Sequence, residues 1–257
     1  MTKFVDLNSD LGESFGVYTM GMDSEVMKYI TSSNIACGWH AGDPLIMDIT
    51  VKEAIKNNVA VGAHPGYPDL MGFGRRNIEI TPAEARAYML YQVGALRAFT
   101  EANNIKLQHI KLHGAFYNTT CLKPDLADAI VDAIAETFGK NIILLALSGS
   151  YILKRGQEKG LRIAHEVFAD RAYNTDGTLV SRKLPGAIIH DKDLAIQRIK
   201  RMVKEGKITT IDGTDINIKS DSICVHGDNP EAVSFVKTIK ENLQADGIEI
   251  KSLANFI

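Results

Sequence analysis

Several short runs of this chain alternate polar and apolar residues, and most are followed by a stretch with helical spacing. Successive side chains of a strand point to opposite faces, so each parity of a run marks one face. Asp6, Asn8 and Asp10 share one parity, as do His109, Lys111 and His113, set against Ile110 and Leu112. Cys224, His226 and Asp228 share a side opposite Ile223 and Val225, and Ala60, Gly62 and His64 share one opposite Val59, Val61 and Ala63. The pattern predicts strands over 3–8, 34–37, 59–63, 108–112, 141–146, 161–168 and 222–225. It predicts helices over 24–30, 44–57, 82–103, 124–138, 150–159, 192–205 and 230–244. Residues 172–185 read as loop, and 207–219 as a hairpin inserted before the last strand.

Strand–helix alternation of this kind implies parallel strands joined by right-handed crossovers. Seven units fit a closed barrel or a doubly wound open sheet. Strands covered by helices on both faces are apolar throughout, whereas these have one apolar and one ionisable face. That asymmetry favours an α/β fold of the single-domain, seven-stranded (β/α) barrel type over residues 1–257, with the ionisable face turned inward.

Composition narrows the class of function. Of 257 residues, 45% are hydrophobic and 23% charged, ordinary for a globular chain with a sizeable core. A net charge of −2 and the lack of a basic patch argue against nucleic acid as a partner. No apolar run is long enough to cross a membrane, so no membrane partner is expected. Phe4-Val5-Asp6-Leu7-Asn8 opens the chain without the regions of a signal peptide, and Cys37, Cys121 and Cys224 lie far apart. Free thiols and a cytoplasmic location are the expectation.

Candidate chemistry gathers at the predicted strand ends. Four of the seven histidines, His40, His64, His113 and His226, stand at or just past a strand end beside small residues. Asp10, with Glu13 beyond it, and Asp170, followed by Arg171, hold equivalent places. In a barrel these ends converge on one rim, where active sites lie. Residues 62–76 form a long loop rich in Gly, Pro, His and Arg, entered from a strand and left through a helix start at Thr81-Pro82-Ala83-Glu84. Within it, interior parity makes His64 the residue for chemistry, Tyr67 and Phe73 read as cover over a substrate, and Arg75 and Arg76 as anchors for a carboxylate or phosphate.

Two chemistries are open to this set. Asp10, His40 or His64, and His113 offer oxygen and nitrogen ligands for a divalent metal such as zinc. Without a metal, Asp10 is a general base, and Lys111 or His113 stabilises an oxyanion. A plainer reading makes Lys111 an interior cation paired with Asp6 or Glu166. Phosphate-binding, dinucleotide-binding and serine-hydrolase signatures are all missing. The residues alone therefore stop at an α/β barrel enzyme, hydrolytic, with a small-molecule polar substrate.

Longer strings go further. They are Asp6-Leu7-Asn8-Ser9-Asp10-Leu11-Gly12-Glu13, Asn34-Ile35-Ala36-Cys37-Gly38-Trp39-His40-Ala41-Gly42-Asp43-Pro44, residues 62–76, His113-Gly114-Ala115-Phe116-Tyr117-Asn118, Glu166-Val167-Phe168-Ala169-Asp170-Arg171-Ala172-Tyr173, Pro185-Gly186-Ala187 and Cys224-Val225-His226-Gly227-Asp228. Together, in this order and almost from end to end, they resemble the LamB/YcsF family. The resemblance implies a seven-stranded barrel similar to glycoside hydrolase and polysaccharide deacetylase folds. It implies 5-oxoprolinase activity, opening the lactam of 5-oxo-L-proline to L-glutamate with hydrolysis of ATP, in company with separate B and C subunits. Leu112 stands where the family often has proline, Trp39 where it has phenylalanine, and Ser9 where it often has cysteine. On this footing Asp10, Lys111, His113 and His64 are the expected catalytic set. Asn8, Glu13, His40, Asp43, Arg75, Arg76, Asp170, Arg171, His226 and Asp228 are the expected substrate-binding set. The ATP site is not assigned by any motif. Two alternatives stand beside this reading: a metal-dependent deacetylase-like hydrolase that needs no ATP, and a non-catalytic substrate-binding subunit.

Overall fold

The computed structural model describes residues 3–227 and 229–257. Its strands in chain order are β1 (Lys3–Leu11), β2 (Ser32–Ala36), β3 (Ala60–His64), β4 (His109–Ile110), β5 (Ile143–Leu147), β6 (Arg162–Phe168), β7 (Lys207–Thr209), β8 (Asp215–Asn217), β9 (Ser222–Val225) and β10 (Ile248–Ile250). Strands β1 to β6 and β9 pair in parallel in that order, and β9 pairs again with β1, which closes a seven-stranded barrel. Strands β7 and β8 are the antiparallel hairpin foreseen before the last barrel strand. Strand β10 adds in parallel along the start of β1, an element the alternation pattern does not reveal.

The helices are α1 (Asp23–Val26), α2 (Pro44–Lys56), α3 (Pro82–Ala102), α4 (Gly114–Leu122), α5 (Pro124–Thr137), α6 (Tyr151–Glu158), α7 (Lys192–Glu205) and α8 (Pro230–Ala245). Four of them start on proline, whose fixed φ and missing N–H suit the first helical position. Thr81 and Glu84 form the expected capping box on α3. Helix α4 is not among the predicted helices: its Gly-Ala-Phe-Tyr opening lacks a polar cap, and His113 at the N-cap makes no side-chain cap bond. Helix α1 is shorter than the predicted 24–30. Among the described residues no helix is long and apolar enough to cross a membrane.

The apolar parity of the strands packs outward. Leu7, Val61, Ile110, Leu144, Val167 and Ile223 share one core with Val51 of α2, Val93 of α3, Ile130 of α5 and Ile239 of α8. The polar parity fills the barrel. Its N-terminal mouth is sealed by the chain's own end, where Leu253 packs on Ile143, Leu145 and Ala164 and the Ala254 amide donates to Gln108 Oε1.

Near that end of the barrel Asp6 accepts hydrogen bonds from Ser32 Oγ (2.6 Å), Thr31 Oγ1 (2.7 Å) and Ser222 Oγ. Burial outweighs these hydroxyls and pushes its carboxyl from 3.8 up to about 6. The folded state thus holds this proton more tightly than the unfolded chain does. The stabilisation is full below pH 3.8 and is lost as pH rises through about 6. The gap is worth on the order of 3 kcal/mol. Asp6→Asn should therefore gain stability relative to the parent as pH rises from about 4 to about 7. Urea unfolding across that range measures the difference; a difference independent of pH would mean the carboxyl titrates normally.

Candidate active site

Interior parity carries polar side chains up the barrel in steps. One step above Asp6, Asn8 donates to Ser222 Oγ (2.7 Å) and accepts from Asn34 Nδ2 (2.8 Å). His109 Nε2 lies 2.7 Å from Asn34 Oδ1, and burial, with the charge of Lys111, pushes its pKa down to about 3. A Cβ on Gly62 would sit 2.0 Å from that His109 nitrogen, so glycine on β3 is what lets the imidazole cross the barrel.

Lys111 stands above this layer, 2% exposed. Its Nζ reaches Glu166 Oε1 at 2.8 Å, Asp10 Oδ1 at 2.9 Å and Asn8 Oδ1 at 3.2 Å. Glu166 also accepts from Tyr117 OH at 2.8 Å. Burial disfavours the ammonium, yet Asp10, Cys224 and Glu166 hold its pKa well above the usual lysine range. Asp10 shows the mirror effect: burial opposes its charge, and His64 and Lys111 overcome it, keeping the carboxyl well below the usual range. The plainer pairing of Lys111 with Glu166 is present, then, but the same amine is also bonded to Asp10 at the rim.

His64 and His113 form a hydrogen-bonded pair beside Asp10. His64 Nδ1 is 2.8 Å from the Lys111 carbonyl, His113 Nε2 is 2.8 Å from the Phe73 carbonyl, and the rings meet at 2.9 Å. Carbonyls only accept, so each outer contact takes an N–H from its ring. Asp10 Oδ2 lies 3.2 Å from His64 Nε2. Burial, with the charge of His64, pushes the pKa of His113 down to about 3. Phe73 holds its carbonyl there in a left-handed conformation, φ 53°, that bulky residues avoid.

His40 completes the group. It is 0% exposed, stacks on His113 with centroids 3.7 Å apart, and has no hydrogen-bond partner for either ring nitrogen. Burial, then the charges of His113 and His64, keep it well below its usual pKa and neutral. Orphaned buried nitrogens of this kind signal a missing partner. Ligand atoms of His40, His64 and His113 lie within 4.8 Å of one another, as do those of Asp10, Glu13 and His113. Imidazole and carboxylate donors of this number fit a divalent metal.

The remaining expected residues divide by what they touch. Asp170 and His226 pair at 3.2 Å on the rim, and Arg75 lies over the Phe73 ring. Asn8 is wholly buried beneath Lys111 and supports it from below. Asp43 is occupied as the N-cap of α2 and by the Gly16 amide. Arg76 is locked on Asp69 within the loop. Arg171 donates to the carbonyls of Val180 and Ala187, pinning residues 172–188 instead of facing the rim. Tyr67 is a correction too: it is 0% exposed and packs on Phe116 in the core, so it covers no substrate. Asp228 lies outside the described residues. Glu166, Tyr117 and His109 belong to the site without standing in the expected sets, although Glu166 shares interior parity with Ala164 and Phe168.

Glycines frame the imidazoles. A Cβ on Gly66 would lie 2.5 Å from His40 Nδ1, and one on Gly74 (φ +62°) 2.7 Å from both His113 Cδ2 and His40 Cβ. Gly74→Ala should therefore cost about 1–3 kcal/mol through overpacking and backbone strain. Gly94→Ala, in α3 with nothing within 4 Å of the added methyl, should instead stabilise by about 0.5–1 kcal/mol. Paired denaturant melts read both; equal effects at the two positions would contradict the crowding around His40.

Known proteins resemble this chain along its whole length. The LamB/YcsF family model matches residues 5–257. The chain is 63% identical over 257 residues to the A subunit of 5-oxoprolinase from Fusobacterium nucleatum subsp. nucleatum, covering all of both chains. It is 56% identical over 253 residues to that of Pyrococcus abyssi, covering 98% of this chain and 99% of the other. Among solved structures, the lactam utilization protein from Thermus thermophilus superposes with a TM-score of 0.90 at 40% identity, covering 98% of this chain and 99% of the other. A protein of Enterococcus faecalis V583 at 14% identity and TM-score 0.62, covering 99% of each chain, shares the fold alone. With a barrel rim built from the strings that mark the family and a match that runs almost end to end, this chain belongs to the LamB/YcsF family.

Proposed function

We propose that this chain is the A subunit of an ATP-dependent 5-oxoprolinase, which opens the lactam of 5-oxo-L-proline to L-glutamate. The observation that carries the reading is the 63% identity, over the full length of both chains, to a protein of that name. Separate B and C subunits complete the activity.

The chemistry explains the need for ATP. A lactam carbonyl is a resonance-stabilised amide and a poor electrophile. Transfer of a phosphoryl group from ATP to the lactam oxygen releases ADP and activates the ring carbon. Water adds there, the C–N bond breaks as the ring nitrogen takes a proton, and an acyl phosphate remains. A second water releases phosphate and glutamate. One lactam, one ATP and two waters thus give glutamate, ADP and phosphate.

Each member of the cluster has a role in this scheme. Ionised Asp10 orients the water and takes its proton. Lys111, charged and held by Glu166, stabilises the developing oxyanion. The hydrogen-bonded His64–His113 pair relays a proton to the leaving nitrogen. Asp10→Asn and His113→Ala, each reconstituted with both partner subunits, should lower glutamate release by about 10²-fold or more. Near-normal release from either variant would sink the scheme.

A second reading rests on His40. A divalent ion held by His40, His64 and His113, with Asp10 and Glu13 beside them, would supply Lewis-acid activation of water to a hydrolase that needs no ATP. Metal analysis of the purified chain and turnover with and without nucleotide separate the two. Under the primary reading turnover stops when ATP is withheld; under the second it continues and stops on chelation.

A further inference from the structure

Beside the catalytic cluster a cavity of about 390 Å³ opens on the rim, between residues 169–192 and the start of α8. That volume is within the range of small-molecule sites. Its cations come from three separate elements: Arg75 from the loop after β3, Arg182 from the loop after β6, and Lys192 at the start of α7. Phe235 of α8 lines it too, with Ile188 and Val225.

Other arginines nearby are tied down. Arg76 pairs with Asp69, Arg198 donates to the carbonyls of Thr209 and Arg171, and Arg201 pairs with Asp215. Arg182 and Lys192, by contrast, are exposed and form no ion pair among the described residues. Two acids share the wall: Asp170, paired with His226 and also lowered by the charge of Arg182, and Glu231 in the first turn of α8. Like charges also press on one another: the pKa of Arg171 is lowered by burial, then by Arg182, against the opposing charge of Asp170, with Arg75 contributing as well. An anion with several oxygens would relieve that repulsion. Asn229 caps α8 through the Ala232 amide, so the positive character comes from side chains and not from an open helix end.

Arg75 connects this cavity to the reaction centre, because its charge is also felt by His40 and His113. A phosphate bound against Arg75 would stand next to the cluster that handles the lactam. We propose that the cavity binds a nucleoside triphosphate, its phosphates held by Arg75, Arg182 and Lys192 and its base against Phe235 and the apolar wall. This assignment rests on the ATP-dependent reading above, and it gives the nucleotide a place on this chain that no sequence motif marks.

Steady-state kinetics of the reconstituted three-subunit enzyme tests it. The double variant Arg182→Ala/Lys192→Ala should raise the KM for ATP by about tenfold or more and leave that for 5-oxoproline within about twofold. Arg182→Lys, which keeps the charge, should recover most of the loss. Inorganic triphosphate should compete with ATP in the parent enzyme and lose potency in the double variant. An unchanged KM for ATP in a double variant that turns over normally overturns the cavity assignment alone. A rise confined to the KM for 5-oxoproline also overturns it, and gives the cations to the substrate carboxylate. Turnover by the parent enzyme without nucleotide overturns the ATP-dependent reading itself, and the cavity assignment with it.

Discussion

Everything in the barrel's upper half depends on burying one ammonium group. Lys111 Nζ sits almost out of reach of solvent, and two carboxylates, Asp10 from β1 and Glu166 from β6, compensate it. Removing one partner of such a group leaves an uncompensated buried charge, at a cost of about 3–5 kcal/mol. Strands β1, β4 and β6 are therefore tied together through the lumen as well as around the wall. Tyr117 and Asn8 extend the tie to α4 and, through Ser222, to β9.

That arrangement drives two carboxylates of one strand apart. Asp6 and Asp10 share the inward face of β1, yet burial raises the first to about 6, while His64 and Lys111 hold the second well below the usual range. Hydroxyl groups surround the lower one and cations the upper one. An ionised carboxylate at the rim is thus produced by position along the strand, since both side chains are chemically the same. The His64–His113 pair stands beside that carboxylate, with His64 Nε2 3.2 Å from Asp10 Oδ2.

The 62–76 loop shapes this end in ways its composition only partly discloses. Gly66 and Gly74 leave room for His40 and His113, and Phe73 spends backbone strain to bring its carbonyl to His113. Asp69 holds Arg76 and the Gly72 amide, which stiffens the turn. Arg75 lines the cavity while Arg76 is locked on Asp69, so two adjacent arginines end in different surroundings. Tyr67 goes to the core because the chain turns inward at Pro65-Gly66, where Gln92 of α3 brackets Gly66 by both its amide and its carbonyl.

Sequence alone determined the seven strands, the inward face of four of them and the histidines and aspartates at their ends, because side-chain alternation is a local property of extended backbone. It also determined most helix starts, through Asp43-Pro44, Thr81-Pro82 and Asn229-Pro230, for the same reason: capping is settled within four residues. Only the tertiary structure decided which polar groups meet. The bond of Lys111 to Glu166 spans 55 positions, and the cavity joins Arg75 to Lys192. Parity says that these residues face inward or line a rim, but not which strands become neighbours when the sheet closes. Arg171 and Asp43 mark the same limit from the other side. Both have the sequence context of rim residues, and both are claimed by backbone groups that only the folded loops present.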